Sequence, residues 1–428
     1  MSVPSRPARA TRPGRATRPG RATRPGRSTV SGTGTGPNPG TGAVPFEELF
    51  ARELGLAPVI NAAGKLTALG GSAQSAAVAA AQAAIAGWHV DLQALRDAVA
   101  GHIARWTGAE AACITTGAAA GIAISVAACI TGNRLDRVLR LPDSTGLAHR
   151  VLLQAGHDVH FGASVAQMIR LGGGMVQRIG WANSVPGELL DEALAEPEGI
   201  AAMLYVQSHH AVQENMIPLA RCIAACHRRN VPVIVDAAAE EDLRGYLDQG
   251  ADLVTYSGGK AFGGPTSGFV VGRRDLVDAC ELQGRGIART MKVGKEQLAG
   301  LFVALTEYVG RDEAALGAAR DGIVASLQSA LGGVPGLRTA IRADEAGRQI
   351  RRLALAREDG GDIRELVRFL ARGTPCIRVR EHHLDDGIAL LDPRELGATQ
   401  VAIIAARVGE FFAQVGERGR TAARPRRR

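Results

Sequence analysis

Short apolar runs alternate with helix-length amphipathic stretches from residue 111 onward. The runs predict strands at residues 111–115, 137–141, 158–161, 175–179, 201–206, 231–236, 253–256 and 268–271. Helices are predicted between several of them, at residues 147–155 and 219–229, and before them at residues 75–87 and 92–107. This alternation predicts an α/β fold around a mainly parallel sheet. Ligands of such sheets bind beyond the carboxyl ends of the strands.

A second pattern begins after Lys295. A long helical stretch at residues 296–330 leads to short strands at 351–356, 376–380 and 388–391, with helices at 363–372 and 398–415. These elements predict a smaller C-terminal α/β domain. The predicted organisation is a basic low-complexity extension (1–42), a large domain (43–300), a linking helix with the small domain (301–416), and a basic tail (417–428).

The positive charge of the chain is confined to its two ends. Residues 1–27 contain eight arginines and no acid, within three copies of Arg-Ala-Thr-Arg-Pro-Gly, and residues 418–428 contain six more arginines. The net charge is +8, so removing these fourteen arginines leaves −6 for the body. Segments of this composition are typically disordered. A nucleic-acid partner for the body is therefore not expected, although basic tails could contact a polyanion.

The cysteines and one uncharged segment bear on the compartment. Cys222 and Cys226 are one helical turn apart, which is not the spacing of a C-x-x-C pair, and all six cysteines are expected to be reduced in a cytoplasmic protein. Residues 111–130 carry no charge and could suggest a membrane span. Their small residues and the break at Thr115-Thr116-Gly117 favour a buried strand, loop and helix, so no membrane association is predicted.

A single lysine follows one of the predicted strands. Leu253 to Tyr256 form an apolar run, Ser257-Gly258-Gly259 permits a tight turn, and Lys260 comes next. Desolvation at the end of a buried strand lowers the pKa of a lysine ammonium. Such an amine suits imine formation with an aldehyde cofactor. The alternative is a solvated loop lysine.

An aspartate stands at the end of the preceding strand. The β-branched run Val231–Val235 ends at Asp236. A carboxylate on one strand and a lysine after the next match the needs of pyridoxal phosphate, in which an aspartate keeps the pyridine nitrogen protonated and a lysine carries the aldehyde carbon. The alternative for Asp236 is a helix N-cap, which is compatible with the first interpretation.

Two further features bear on the chemistry. Thr115-Thr116-Gly117-Ala118 joins a strand to a helix, whose free N–H groups are suited to a phosphate, and Ser257 is close enough in sequence to Lys260 to reach the same phosphate. The alternative is an ordinary close-packed turn.

Sequence motifs of other enzyme classes are absent from the body. It has no nucleotide P-loop and no H-E-x-x-H. The adjacent pairs His209-His210 and His382-His383 diverge on a strand, so no metal site is predicted.

The combined motifs resemble those of the selenocysteine synthase-like branch of fold-type-I pyridoxal-phosphate enzymes. The motifs are Ile60-Asn-Ala-Ala-Gly64, the run from Thr107 to Gly121, Asp236, Ser257-Gly-Gly-Lys260, and Met291-Lys-Val-Gly-Lys295-Glu. That branch includes L-seryl-tRNA(Sec) selenium transferases and lyases of the D-glucosaminate-6-phosphate ammonia-lyase type. The resemblance spans residues 45–416.

The resemblance implies pyridoxal 5'-phosphate as cofactor and assigns roles to individual residues. Lys260 would be the Schiff-base lysine and Asp236 the partner of the pyridinium. The other residues implied for the cofactor are Thr116, Gly117, Ala118 and Ser257 at its phosphate, Gln207 and Ser208 near the ring hydroxyl, and His149 stacked on the ring. Arg380 is implied for a substrate carboxylate, and Arg289, Lys292 and Lys295 for a substrate phosphate; for these four the alternative is an exposed surface.

One departure from the family pattern guides the choice of function. Selenium transferases carry a folded N-terminal tRNA-binding region where this chain has its arginine repeat. That favours a lyase that eliminates a β-substituent from an amino acid, or from a phosphorylated sugar amino acid, giving a 2-keto acid and ammonia. The alternatives are a tRNA-dependent selenium transferase-like enzyme and a cofactor-binding chain without turnover. Because active sites of this fold are usually built at a two-fold interface, at least a homodimer is expected.

Overall fold

The computed structural model describes residues 50–208, 211–344 and 349–422. The predictions for residues 1–42 and 423–428 and for the His209-His210 pair lie outside these residues.

Twelve strands are present in the part of the chain that the structure describes. They are β1 (Val59–Ala62), β2 (Ala111–Thr115), β3 (Arg150–Gln154), β4 (Met175–Ile179), β5 (Ile200–Val206), β6 (Val233–Asp236), β7 (Leu253–Ser257), β8 (Gly268–Gly272), β9 (Leu337–Ala343), β10 (Arg351–Arg357), β11 (Cys376–Val379) and β12 (Ala389–Leu391).

Fourteen α-helices occur in the same described ranges. They are α1 (Arg52–Leu54), α2 (Ala76–Ala86), α3 (Leu92–Thr107), α4 (Ala118–Thr131), α5 (Leu135–Val138), α6 (Val165–Leu171), α7 (Gly187–Ala193), α8 (Leu219–His227), α9 (Gly245–Asp248), α10 (Arg274–Leu282), α11 (Lys295–Val309), α12 (Glu313–Leu331), α13 (Arg364–Arg372) and α14 (Ala398–Ala422). Helix α14 therefore includes residues 417–422, which were predicted to belong to the basic tail.

Seven strands form the central sheet, in the order β2-β8-β7-β6-β5-β3-β4. The pairs from β7 to β4 are all parallel, and β8 runs antiparallel to both of its neighbours. The predicted α/β class with a mainly parallel sheet is thus confirmed. Since β8 alone is reversed among these seven strands, the carboxyl ends of β2, β7, β6 and β5 and the amino end of β8 share one edge.

The sheet is buried on both faces. Along β7 and β8 successive side chains enter opposite hydrophobic clusters: Val254 and Phe269 belong to one, and Leu253 and Val270 to the other. Helix α4 covers the second face and is itself almost completely buried. The uncharged segment 111–130 is therefore the predicted strand, loop and helix. Among the described residues no helix combines the length and apolar character needed to cross a membrane.

The C-terminal part forms a separate small sheet with its own core. Its order is β12-β10-β9, all antiparallel, packed against α12, α13 and α14. Strand β1 pairs in parallel with β11, and Ala62 is buried in this second core. Residues 59–62, which the prediction groups with the large domain, are thus hydrogen-bonded to the C-terminal part.

Several predicted elements near the sheet edge are wrong. The segment predicted as helix at 147–155 contains strand β3, the predicted strand at 137–141 is replaced by α5, and the predicted strand at 158–161 is absent from the structure as described. Side chains of Val151, Leu152 and Leu153 are all fully buried, as in a central parallel strand. A short apolar run does not distinguish a buried strand from a buried helix.

Two predictions for the C-terminal elements also differ from the structure. The predicted helix at 296–330 is divided between α11 and α12, and β9 has no predicted counterpart.

Candidate active site

Three predicted site residues meet at the carboxyl edge of the central sheet. Asp236 ends β6 and lies in register with Val206 of β5 and Thr255 of β7. Ser257 ends β7, and Gln207 follows β5 directly, where its backbone N–H donates to the Asp236 carbonyl at 2.9 Å. Neighbouring parallel strands bring their ends together regardless of the sequence between them, so residues 207, 236 and 257 become neighbours.

The Asp236 carboxyl is buried and electrostatically unusual. Its residue is 5% exposed, and its Oδ1 accepts a hydrogen bond from the Ala238 N–H at 3.1 Å. Burial raises the pKa of the carboxyl to about 6, and the Ala238 hydrogen bond and the positive charge of Lys260 partly oppose this rise. A buried carboxylate in this position is stabilised when a second positive charge, such as a pyridinium, faces it.

The backbone around Lys260 is held by a segment from the N-terminal part of the chain. We call residues 65–72 the strap. The Ser72 N–H donates to the Gly259 carbonyl at 3.1 Å, the Ser72 hydroxyl to the Lys260 carbonyl at 2.7 Å, and the Lys65 Nζ to the Ala261 carbonyl at 3.2 Å. Three consecutive carbonyls of the Lys260 loop therefore bind the strap.

The start of α4 has the features of a phosphate cradle. Gly117 is the N-cap of α4, and no side chain caps this helix end. A Cβ added to Gly268 would lie 2.7 Å from the Gly117 Cα, so only glycine permits β8 to approach this turn so closely. Gly268 is in register with both Thr115 and Ser257, so these two strand ends flank it. Free N–H groups at a helix N-terminus, with a hydroxyl nearby, fit a phosphate.

Arg380 lies in the C-terminal part, directly after β11. It is 3% exposed, and its backbone exchanges two hydrogen bonds with Leu390, at 2.9 and 3.1 Å. The alternative of an exposed surface arginine is therefore wrong. Strand β11 pairs with β1, which leads through Ala62 and Gly64 into the strap. Arg380 and Lys260 are thus connected through a short run of hydrogen-bonded backbone.

A buried ionic network supports this connection. Asp392 is fully buried and binds Arg352 at 2.8 Å and Arg394 at 2.9 Å, while its backbone N–H donates to the Ala62 carbonyl at 2.9 Å. Arg352 also pairs with Asp344 at 2.7 Å. Burial raises the pKa of the Asp392 carboxyl, but the two guanidinium groups outweigh it and hold the pKa well below its usual range.

The structure does not bring His149 to the carboxyl edge. His149 immediately precedes β3, which runs parallel to β5, so it lies at the amino end of the sheet, and its Nδ1 contacts the Leu147 carbonyl at 2.7 Å. We therefore correct its assignment as the ring-stacking residue. The error follows from the misassigned strand. His157 follows the carboxyl end of β3 instead; it is buried edge-on against Tyr205, and burial lowers its pKa to about 4.

The predicted basic cluster is only partly available. The Lys295 Nζ donates to the carbonyls of Ala86 at 2.9 Å and Trp88, so it binds the carboxyl end of α2. Two of the three donors of this ammonium thus bind within the protein, and the role of Lys295 at a substrate phosphate stays a prediction. Arg289 and Lys292 are exposed, and their role stays a prediction.

The strap residues Lys65 and Ser72 are functional candidates that were not predicted from the sequence. The available signal was a lysine and a Gly70-Gly71-Ser72 turn immediately after the Asn61-Ala-Ala-Gly64 motif. Nothing in the local sequence indicates that this turn contacts a loop 188 to 196 residues away. No group of three or more metal-binding side chains occurs among the described residues.

This fold and site define a fold-type-I pyridoxal-phosphate enzyme. The fold is shared with the serine palmitoyltransferase of Sphingomonas wittichii, with a TM-score of 0.53 at 17% identity over 84% of this chain and 88% of that chain. A solved structure of D-glucosaminate-6-phosphate ammonia-lyase matches with a TM-score of 0.78 at 40% identity, covering 85% of this chain and 99% of that one.

Similar sequences show to which family within this class the chain belongs. Residues 234–318 match the SelA family model, described as L-seryl-tRNA selenium transferase. The chain is 42% identical to the D-glucosaminate-6-phosphate ammonia lyase of Salmonella typhimurium over 363 residues, which are 84% of this chain and 97% of the relative. It is 40% identical to a 5'-C-glycyluridine monooxygenase-decarboxylase of Streptomyces sp over 370 residues, 85% and 92% of the two chains. The chain belongs to the family of the D-glucosaminate-6-phosphate ammonia lyases and is, as predicted, an enzyme.

Proposed function

We propose that this enzyme is a pyridoxal-phosphate-dependent ammonia lyase acting on a 2-amino-3-hydroxy acid, with phosphorylated sugar amino acids as the expected class. The observation that carries the proposal is the buried Asp236 carboxyl. The positive charge of Lys260 lowers the pKa of this carboxyl, and the start of helix α4, which no side chain caps, lies at the same sheet edge. The 42% identity to a lyase over nearly its whole length supports the reaction type.

The chain's residues fit the cofactor in three places. The N-terminus of α4 at Gly117 and Ala118, with Thr116 and Ser257, would hold the phosphate. Asp236 would face the ring nitrogen, and Gln207 and Ser208 the ring hydroxyl. When bound, pyridoxal phosphate supplies an aldehyde for the substrate amine and a ring that accepts electrons from the α-carbon. The Lys260 amine would hold the aldehyde group of the cofactor, and its Nζ would be the base that accepts the α-proton of the substrate.

The overall reaction conserves all atoms. The α-proton and the β-hydroxide leave the substrate as the elements of water, which gives an enamine. Hydrolysis of the released enamine returns one water and produces a 2-keto acid and ammonia. The protein's part is to orient the substrate so that the α-hydrogen faces Lys260. Arg380 is assigned to the substrate carboxylate because it is buried at the end of β11.

We also propose that the enzyme is a cytoplasmic homodimer that does not require nucleic acid. Large apolar side chains are exposed around the start of α3, where Trp88, Val90 and Leu92 are each more than 40% exposed. Such a cluster on one subunit suits burial against another. Light scattering coupled to gel filtration tests the dimer, and a tRNA-binding assay at two salt concentrations tests the transferase alternative.

The decisive experiment separates cofactor attachment from turnover. The protein purified with pyridoxal phosphate is reduced with borohydride and digested, and the modified peptide is expected to contain Lys260. The same preparation, without borohydride reduction, is then supplied with D- and L-2-amino-3-hydroxy acids and phosphorylated amino-sugar acids, and the release of 2-keto acid and of ammonia is measured. The two products are expected in equal amounts. A label at Lys260 without keto acid from any substrate would favour a cofactor-binding chain without turnover.

The second candidate function is an oxygen-dependent decarboxylation. It is favoured by the 40% identity to the 5'-C-glycyluridine monooxygenase-decarboxylase, which nearly equals the identity to the lyase. Both reactions are compatible with the same lysine and aspartate. Oxygen consumption and carbon dioxide release with 5'-C-glycyluridine, in the absence of ammonia release from hydroxy amino acids, would favour this candidate over the lyase.

A further inference from the structure

The strap contacts the Lys260 loop more closely than a surface turn would. Gly71 has a φ of +84°, and a Cβ added there would lie 2.4 Å from the Gly259 carbonyl oxygen. Together with the bonds to Gly259, Lys260 and Ala261, this leaves the loop little freedom to move as a unit. The Lys65 side chain provides the one bond of the three that carries a charge, and charge-assisted hydrogen bonds are about twice as strong as neutral ones.

The strap is also anchored at both of its ends. Before it, the Asn61 side chain donates to the Gly64 carbonyl at 2.9 Å, and Ala62 accepts from the buried Asp392 backbone. After it, the Ala73 N–H donates to the Glu395 carboxylate at 3.3 Å. Asp392 and Glu395 both belong to the C-terminal part. The strap therefore joins the part that carries Arg380 to the loop that carries Lys260.

Charged groups surround the Lys65 amine on several sides. Burial lowers the pKa of Lys65 to about 8; Glu395 and Glu241 oppose this effect, and Arg394 and Arg320 add to it. Arg394 is bound to Asp392, and Arg311 pairs with Glu241 at 3.1 Å. The pKa of the neighbouring Glu395 is raised by burial, with Lys65 acting against the rise. The amine thus changes charge within an accessible pH range.

We propose that Lys65, together with Ser72, is a positioning residue for Lys260: its ammonium holds the Ala261 carbonyl and faces Glu395, and thereby fixes the direction in which the Lys260 side chain leaves its loop. This role rests on the proposed function of Lys260. A neutral Lys65 donates a weaker hydrogen bond and loses the attraction of Glu395. The loop is then held less firmly as the pH rises through about 8.

The test uses three variants of the full chain and one control. Lys65→Met removes the donor, Lys65→Arg keeps a charge that does not titrate, and Ser72→Ala removes only the hydroxyl bond. Arg170→Met is the matched control, because Arg170 is an exposed cation on α6. For each protein we measure the cofactor dissociation constant, the visible absorbance of the bound cofactor from pH 6 to 10, and kcat and KM over the same range.

The expected results differ between the variants. Lys65→Met lowers kcat about tenfold to a hundredfold with KM changed less than about threefold, since misplacement of a reacting group acts on the chemical step. It also shifts the midpoint of the absorbance titration and weakens cofactor binding. Ser72→Ala has a smaller effect in the same direction. The kcat of the wild type is expected to fall as the pH rises through about 8, where Lys65 loses its charge. Lys65→Arg has the wild-type kcat near pH 7, and its kcat does not fall in this alkaline range. Arg170→Met behaves as the wild type.

Two outcomes are distinguished by this design. If borohydride leaves Lys260 of the wild type unlabelled, the proposed function fails, and the positioning role with it. If Lys260 is labelled but Lys65→Met and Ser72→Ala keep the wild-type absorbance titration, cofactor affinity and kcat, the positioning role is refuted and the proposed function stands. Should Lys65→Met fail to fold, Ser72→Ala and Lys65→Arg decide by the same measurements.

Discussion

Replacing Asp236 by asparagine removes a charge while keeping the shape of the side chain. In the wild-type apoprotein this carboxyl is buried, and its pKa rises from 3.8 to about 6. At 1.36 kcal/mol per pKa unit, ionising it in the folded state costs up to about 3 kcal/mol more than in the unfolded chain. An asparagine Oδ1 still accepts the Ala238 hydrogen bond. We therefore expect Asp236→Asn to stabilise the apoprotein at pH 8.

The sign of the pH dependence follows from linkage. A carboxyl with a raised pKa in the folded state binds its proton more readily when folded, so its contribution to stability is fully present below pH 3.8 and is lost as the pH rises through about 6. The advantage of Asp236→Asn is thus expected to be largest from pH 7 to 8 and to vanish near pH 4. At about 2.1 cal/mol/K of unfolding entropy per residue, about 3 kcal/mol corresponds to a rise in Tm of about 4 °C.

The assay is thermal unfolding of cofactor-free wild type and variant at pH 4, 6 and 8, with and without added pyridoxal phosphate. Addition of the cofactor is expected to raise the Tm of the wild type more than that of Asp236→Asn, because the variant lacks the charge that, under the proposed function, would face the ring nitrogen. Turnover is expected to fall about a hundredfold or more. Gain of stability with loss of function is typical of a residue retained for its chemistry.

A buried aspartate at the other sheet edge provides the contrast. Asp252 is 3% exposed, but it is paired with His227 at 2.8 Å and Arg273 at 2.9 Å. Asp252→Asn is expected to destabilise the protein by about 1–3 kcal/mol, since an amide cannot accept all the hydrogen bonds that the buried carboxylate accepts from His227, Arg273 and the Val233 N–H. The prediction for Asp236 is wrong if the cofactor-free Asp236→Asn variant has a lower Tm than the wild type at pH 8, or if the difference in Tm is the same at pH 4 as at pH 8.

Three further predictions follow from the site and its supports. Lys260→Ala is expected to lower kcat about a thousandfold, within the range for loss of a general base, in the keto-acid assay, with Tm unchanged within about 2 °C; a smaller loss would point to another base. Arg380→Met should raise KM about tenfold to a hundredfold, as for loss of a hydrogen bond to a charged group, and an unchanged KM would exclude a substrate contact. Asp392→Asn should lower stability by about 3–5 kcal/mol in denaturant unfolding by breaking its bonds to Arg352 and Arg394, and a loss below about 1 kcal/mol would contradict that network.

Local sequence patterns were enough to predict which residues lie at the carboxyl edge of the central sheet. Asp236 and Lys260 are each placed by a local pattern, an apolar run that ends in a polar residue or a glycine turn, and parallel strands carry such ends to one edge in any α/β sheet. The uncharged segment at 111–130 was likewise interpretable locally, because its small residues and its Thr-Thr-Gly break do not suit a membrane span. The alternation of elements was enough to predict the fold class.

The other residues around that edge are brought there by tertiary contacts that local patterns do not predict. His149 was misplaced because Val151, Leu152 and Leu153 are apolar in either a helix or a strand, and burial between two other strands selected the strand. Lys65 reaches Ala261 across 196 positions of sequence, and Arg380 becomes buried when β11 pairs with β1. Contacts of this kind depend on packing between distant segments, and no local periodicity of hydrophobic and polar residues encodes them.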